Sequence, residues 1–358
     1  MLKWHKLSKL HDHNRPTPRK TSMRPPCTSR SVSSLRRVGL LSLLTGMAGL
    51  ATLPAFAQAD VYPSKPITLV VGYPPGGSTD LTGRVLGAEL AKKLGVSVVI
   101  ENVGGAGGAI GAQKVANAAP DGYTLLVGAN NEIAIKRLVS PATVKYEAKD
   151  FTPLGLIASQ PMVLVASPKT GVKNLAEFMT LTKANPGKFS YGSSGVGTAL
   201  HLAGEMVKDQ GGLFMTHIPY RGVAPLTNDL LGNNLEFAVY VLSSGLPHIK
   251  AGKVVALGTT ERKRAAATPD VPALSEHPAL KNIDIASWFA LMGPAKLPEP
   301  VVAKLKKALA ESLQSPELRK KLEDSGSAIA PLNVDMPKFL ADETTKYKKI
   351  VDFASIQE

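Results

Sequence analysis

Two short stretches carry the residue types and spacing needed to bind an anion, Pro75-Gly76-Gly77-Ser78-Thr79-Asp80 and Ser193-Ser194-Gly195-Val196-Gly197-Thr198. Each lies between a strand pattern and a helix pattern, so each aims unpaired backbone N–H groups and the positive end of a helix at one crevice. Glycine lets the main chain approach a ligand closely. The hydroxyls of Ser78, Thr79, Ser193, Ser194 and Thr198 can donate further bonds or cap the helices. A hydrogen bond to a charged group contributes about 1.5–3 kcal/mol and a helix terminus about 0.3–2 kcal/mol. Four or five such bonds support the roughly 8 kcal/mol of a micromolar complex without an arginine, and a carboxylate suits this chemistry. For either loop taken alone, a plainer reading stays open, in which the glycines only turn the chain and the hydroxyls only cap helices.

Catalytic templates fit less well. Gly192-Ser193-Ser194-Gly195-Val196 fails the nucleophile-elbow pattern at its last position, and Gly105-Ala106-Gly107-Gly108-Ala109-Ile110 fails the dinucleotide fingerprint at its last glycine. Gly187-Lys188 and Gly252-Lys253 lack the rest of a phosphate-binding P-loop, and neither a His-Glu-x-x-His nor an EF-hand pattern occurs. A triad of Ser194, His201 and Asp229 is conceivable, but His201 falls on a helix pattern beside Leu202, where packing or capping is the simpler role. A secreted hydrolase-like enzyme acting on an anionic substrate is therefore the weaker alternative to a binding protein. No cofactor or metal is expected.

The elements that must position these loops alternate. Ile67–Val71 reads as a strand, followed by a helix through Leu81, Val85, Leu86, Leu90 and Leu94 that stops at Gly95. A strand at 96–100, a helix at 109–118 and a strand at 123–127 follow. A second set has strands at 162–166, 189–191, 235–239 and 254–257 and helices at 175–183, 198–207 and 226–231, with a further segment at 245–251. Such alternation across short connections predicts an α/β fold with parallel sheet. The tail is helical, with Val302, Leu305, Leu309 and Leu313 on one face and Met336, Leu340, Tyr347 and Ile350 on another.

Of the formal charge of +14 over 358 residues, +9 falls in residues 1–57, where ten Lys and Arg oppose Asp12 alone. The remaining +5 is spread without a basic stripe interleaved with aromatics, so nucleic acid is not an expected partner. Behind Arg36-Arg37 runs an apolar, uncharged segment from Val38 to Ala51, too short to span a bilayer comfortably, then Pro54 and Ala55-Phe56-Ala57. This predicts an export signal with a long basic n-region over residues 1–57, cleaved near Ala57 or Ala59, and a product in the periplasm. The twin arginines sit in a poor twin-arginine context, which favours general secretion, and Met23 is an adequate alternative start. The single cysteine, Cys27, precedes the apolar run and so is not a lipoprotein cysteine.

From about Val61 onward the chain resembles the tripartite tricarboxylate transporter substrate-binding proteins, the Bug-type extracytoplasmic solute receptors. The resemblance rests on an ordered set: Tyr62-Pro63-Ser64-Lys65-Pro66-Ile67, the loop 75–80 with Arg84, Glu101-Asn102, Gly105-Ala106-Gly107-Gly108 with Gly111, and Pro120-Asp121-Gly122-Tyr123-Thr124-Leu125. It continues with Asn185-Pro186-Gly187-Lys188, Ser194-Gly195-Val196-Gly197, His201-Leu202-Ala203-Gly204-Glu205, Pro219-Tyr220-Arg221-Gly222 and Asp229-Leu230-Leu231-Gly232.

The resemblance implies a type II periplasmic binding fold. It has two lobes, each with a mainly parallel sheet flanked by helices, and a ligand cleft between them, with residues 58–161 and 257–358 as lobe 1 and 162–256 as lobe 2. It implies capture of a small organic anion, not catalysis, and delivery to integral-membrane permease subunits by a monomer. Carried over residue by residue, it implies contacts from Gly76, Gly77, Ser78, Thr79 and Asp80 and from Ser193, Ser194, Gly195, Gly197 and Thr198. Tyr73, Tyr220 and Asp229 are further candidates. Gly72-Tyr73, Gly232-Asn233-Asn234-Leu235-Glu236 and Tyr240 depart from the family pattern, which predicts a shifted specificity, and the Trp288-Phe289-Ala290 run departs from it in a way that predicts altered packing near the cleft with the fold intact.

Overall fold

The computed structural model describes residues 62–357, so the predicted export signal and both cleavage positions lie outside the described residues. β1 (Ile67–Val71) leads into α1 (Ser78–Leu94), which Gly77 opens in extended backbone and Gly95, left-handed at φ 71°, closes by donating its N–H to Ala91. Asp80 in the first turn and Lys92 and Lys93 in the last complement the helix dipole. β2 (Val98–Asn102), α2 (Ala109–Ala116) and β3 (Thr124–Ala129) complete the first alternation. Next comes an element the sequence pattern did not announce. Asn131–Ile135 form one wide π-helical turn, all five residues buried, that passes directly into α3 (Lys136–Val139).

β4 (Phe151–Ala166) is far longer than the strand expected from Met162 onward. Pro153, Gly155 and Pro161 read as breakers in the sequence. In the fold, the register of β4 slips beside Pro153 and Gly155, and Pro161 sits where β4 exchanges one partner for others, places where a missing N–H costs little. Then follow α4 (Leu175–Ala184), β5 (Ser190–Ser193), α5 (Ala199–Gly211), β6 (Thr216–Pro219), α6 (Val223–Leu231), β7 (Phe237–Val241), α7 (Leu242–Lys250) and β8 (Val255–Thr259). The chain ends in β9 (Ala286–Pro294), α8 (Glu299–Leu313), α9 (Pro316–Asp324), β10 (Ala328–Ile329) and α10 (Met336–Phe353). β9, like the short β6 and β10, is also unannounced. It is buried along eight of its nine residues, and a strand covered on both faces has no alternation to betray it.

The strands join in the order β2-β1-β3-β9-β4-β7-β5-β6, with β8 and β10 also paired to β4. β1 runs parallel to β2 and β3, and β5 runs parallel to β6 and β7. β9 and β4 insert antiparallel between these two parallel sets, so the sheet is mixed. β4 serves both: up to Pro161 it pairs with β9, and from Met162 it pairs with β7 and then β8. Both loops singled out above follow the carboxyl ends of parallel strands, where ligands of open α/β sheets bind.

Close packing of α5 on β5 holds the second loop in place. Gly204 on α5 lies so near the buried Tyr191 ring that a Cβ there would sit 2.1 Å from Cε2, and Tyr191 is pinned by its hydroxyl donating to Glu205 Oε1 at 2.6 Å. Gly204→Ala should therefore lower stability by about 1–3 kcal/mol through overpacking, read as a fall in denaturant midpoint at unchanged m-value.

Candidate functional site

The first loop is built around Asp80. Its carboxylate accepts from the Gly76 N–H (3.0 Å), from Arg84 Nε (3.0 Å) and from Asn102 Nδ2 (2.9 Å), and Asn102 also donates to the Tyr73 carbonyl (2.9 Å). Burial alone would raise its pKa, but hydrogen bonds from Arg84, Gly76 and Asn102 outweigh burial and hold it below the ordinary value. Asp80 is thus committed to shaping the loop, and a second anion would gain nothing from its charge. Gly77 opens α1 without any side-chain cap, which leaves the first-turn N–H groups of Ser78 and Thr79 to a partner from outside the helix.

The second loop differs, because most of its groups already have partners. Ser193 Oγ is 2.7 Å from His217 Nε2 and donates to the Gly195 carbonyl, while the Gly195 N–H returns to Ser193 Oγ. Thr198 caps α5 by accepting from the His201 N–H, and the Gly197 N–H donates to His201 Nδ1. The Ala199 N–H, in the first turn of α5, donates to Asn131 Oδ1 at 2.7 Å. Asn131 therefore sits where an external acceptor would meet that helix end.

The two loops do converge. Gly77, Ser78 and Thr79 on one side and Ser194 on the other line one cavity, walled by Tyr73, Pro74, Pro75, Ala129, Asn131, Leu200, Val223, Ala224, Val241, Ser287 and Phe289. Its water-accessible space is only ≈ 30 Å³. A larger hollow of ≈ 900 Å³ shares Tyr73, Pro74, Pro75 and Ser194 with it and is bordered by Gly104 to Gly108, Lys136, Gly195 and Pro219 to Gly222. Among the described residues, no carboxylate, lysine or arginine lines the inner cavity.

Asn131, Tyr73 and Glu132 form the buried support beside it. The Tyr73 hydroxyl accepts from Asn131 Nδ2 (2.7 Å) and shares its proton between Glu132 Oε2 (2.8 Å) and the Gly107 carbonyl (2.9 Å). Burial pushes the Tyr73 phenol well above its ordinary value. Burial also lifts the Glu132 carboxyl to about 7, although the Ala129 N–H and the Tyr73 hydroxyl pull the other way.

Under the second loop lies an aromatic stack of His201 on His217, with centroids 3.8 Å apart and planes at 10°. Burial lowers His201 to about 4, against the pull of Glu205, and burial with the neighbouring imidazole lowers His217 to about 3. Both rings are neutral in the folded state and protonate near 6.5 once unfolded. The two rings' contribution to stability is therefore intact above pH 6.5 and is lost as the pH drops toward 4, by up to about 1.4 kcal/mol per pH unit for each ring, while Glu132, raised to about 7, opposes it by regaining stability over the same fall. Thermal melts at pH 7, 5.5 and 4.5 should show this slope, and His217→Gln should flatten it.

Of the sequence candidates, Tyr73, Gly77, Ser78, Thr79 and Ser194 border the inner cavity. Gly195 and Tyr220 border the outer hollow, and Tyr220 donates to Asp229 Oδ2 at 2.8 Å, which with burial pushes its phenol to about 12. Gly76 donates to Asp80, Ser193 is engaged by His217 and Gly195, Gly197 by His201, and Thr198 by Gly195. The conceivable triad does not form, since Asp229 is bound to Tyr220 and His201 Nδ1 to Gly197. Sequence reasoning missed Asn131, Leu200, Val223, Val241 and Ser287, and touched Phe289 only through the Trp288-Phe289-Ala290 run. Among them only Asn130-Asn131-Glu132, a polar run directly after an apolar strand, left a signal.

Over residues 82–356 the chain matches the tripartite tricarboxylate transporter family receptor. A UPF0065 protein of Bordetella pertussis is 35% identical over 329 residues, which is 91% of this chain and 98% of that one. Among solved structures, Rpa4515 of R. palustris with adipate is 31% identical, with TM-score 0.79 over 83% of this chain and 99% of its own. MatC of Rhodopseudomonas palustris with bound malate is 29% identical, with TM-score 0.75 over 81% of this chain and 100% of its own.

Proposed function

The chain belongs to the tripartite tricarboxylate transporter receptor family, and from that premise we propose that it grips the carboxylate of its solute at the uncapped start of α1. As a family member it is a periplasmic solute receptor for small organic anions, not an enzyme. Its α/β sheet has the type II periplasmic binding architecture of its structural relatives. The export signal is removed near Ala57 or Ala59, and the receptor hands its solute to integral-membrane permease subunits.

The observation that carries the site is the pairing of an open helix end with a cavity that holds no cation. Gly77, Ser78 and Thr79 supply main-chain donors, Ser194 faces them, and Leu200, Val241 and Phe289 enclose the carbon skeleton. Adipate and malate, named with the two relatives above, are carboxylates of the chemistry such main-chain donors suit. The lobes are residues 58–161 with 257–358, and 162–256, a division supported by β4, whose first part pairs with β9 and whose last part pairs with β7 and β8.

The inner cavity is tighter than any organic acid, so capture requires its walls to part. The bond that must break is Asn131 Oδ1 with the Ala199 N–H, whose place the ligand oxygen takes. The steps are release of that bond, entry of the acid through the outer hollow, and closure around it. Calorimetry of unfolded and refolded residues 58–358 against mono-, di- and tricarboxylates tests the reading. Saturable one-to-one binding of at least one acid supports it; absence of heat across the series overturns it.

A further inference from the structure

One buried carboxyl beside the inner cavity has no part in gripping the anion. Glu132 is fully buried in the π-helical turn, and its Oε1 accepts from the Ala129 N–H at 2.7 Å. Its Oε2 meets the Tyr73 hydroxyl at 2.8 Å, and that hydroxyl also lies 2.9 Å from the Gly107 carbonyl and 2.7 Å from Asn131 Nδ2. Asn131 Oδ1 is taken by the Ala199 N–H, so its Nδ2 can only donate to the phenol. One phenol proton therefore faces two acceptors. A proton on Oε2 completes the set, because Glu132 then donates to Tyr73 and Tyr73 donates to Gly107. Gly108 packs over Oε2 so closely that a Cβ there would sit 2.7 Å away, and no solvent reaches the carboxyl.

Tyr73 and Asn131 line the inner cavity, so Glu132 stands one hydrogen bond behind its wall. Around the turn, Tyr146 donates its hydroxyl to the Glu132 carbonyl, Tyr347 on α10 accepts from Asn130 Nδ2, and Glu343 on α10 accepts from Trp288 Nε1. Lys136, one turn on, donates to the Val196 carbonyl, and Lys114 on α2 pairs with Glu101. Among the described residues, the bonds to the Glu132 carboxyl come from uncharged groups.

We propose that the receptor captures its anion together with a proton on Glu132, so that affinity falls as that carboxyl ionises. This rests on the reading that the anion's carboxylate sits on the start of α1. An ionised Glu132 would set a second negative charge against the ligand across a dry wall. It would also take the Tyr73 proton from Gly107, whose turn borders the outer hollow. Burial already lifts the carboxyl to about 7, and a bound anion lifts it further, so each capture above that pH draws a proton from solution.

The test is calorimetric titration of refolded residues 58–358 with butyrate, succinate, glutarate and tricarballylate at pH 6.5, 7.5 and 8.5, in phosphate and in Tris. At least one acid should bind about tenfold weaker at pH 8.5 than at pH 6.5, and the buffer dependence of its heat at pH 7.5 should report about half a proton or more taken up per anion. Glu132→Gln keeps an acceptor for Ala129 and a donor for Tyr73. It should take up no proton and bind about tenfold tighter than the wild type at pH 8.5. Should it fail to fold, the carboxyl-carbon resonance of Glu132 in labelled wild-type protein makes the assignment, since its titration midpoint must rise when the acid binds. Affinity that stays level across this range, a Gln variant that keeps the wild-type slope, or an unmoved midpoint overturns the proposal and leaves the α1 site standing. If no acid binds, the α1 reading fails and the proton linkage falls with it.

Discussion

Gly77→Asp should abolish capture of the organic anion, by at least 100-fold in Kd, while leaving the protein as stable as before or a few tenths of a kcal/mol more so. Gly77 opens α1 at φ −85° and ψ 172°, a conformation open to any residue, and a Cβ added there meets nothing within 4 Å. Aspartate is among the best N-cap residues, and its carboxylate would accept from the same first-turn N–H groups that the ligand needs. The internal anion is always present, whereas the external one must pay ordering costs. Stability and affinity therefore move in opposite directions. Urea unfolding together with calorimetry separates this result from misfolding, in which both would fall.

Asp80→Ala should lower both. The carboxylate is the common acceptor for Gly76, Arg84 and Asn102, and its removal leaves the Asn102 amide and the Gly76 N–H without their shared partner. Losing such an acceptor costs about 1–3 kcal/mol, while the exposed Arg84 contributes little of it. The loop from Tyr73 to Gly77 then has several arrangements instead of one, and affinity should fall about 10- to 100-fold even though Asp80 is not among the residues lining the cavity. Asp80→Asn should fall between the two, because its amide accepts at one atom only. A drop in affinity without any change in melting temperature would instead mark Asp80 as a direct ligand contact.

Much of this arrangement was legible from local pattern. The run Ile67–Val71, the glycines before Ser78 and the stop at Gly95 define a strand, an open helix start and a helix end within one window, and β5, Ser194 and α5 repeat that logic. Main-chain binding needs only glycine and a following helix, both visible in sequence. The walls were not legible, because they come from remote places. Phe289 and Ser287 reach the cavity only because β9 returns between β3 and β4, and Val241 only because β7 pairs with the far half of β4. Asn131 lies in a π-helical turn, whose five-residue hydrogen bonding has no periodic signature. Sequence showed which groups could hold an anion; long-range pairing decided which of them remain open, and at the second loop most are taken by their neighbours.

Amide NMR of isotopically labelled, refolded residues 58–358 during titration with a binding carboxylate addresses the core of the account. The N–H signals of Ser78 and Thr79 should move downfield and saturate with the calorimetric Kd, and Ala199 should shift as its bond to Asn131 is exchanged for one to the ligand. Saturable binding that leaves these three amides unmoved would contradict the placement of the anion on the helix starts.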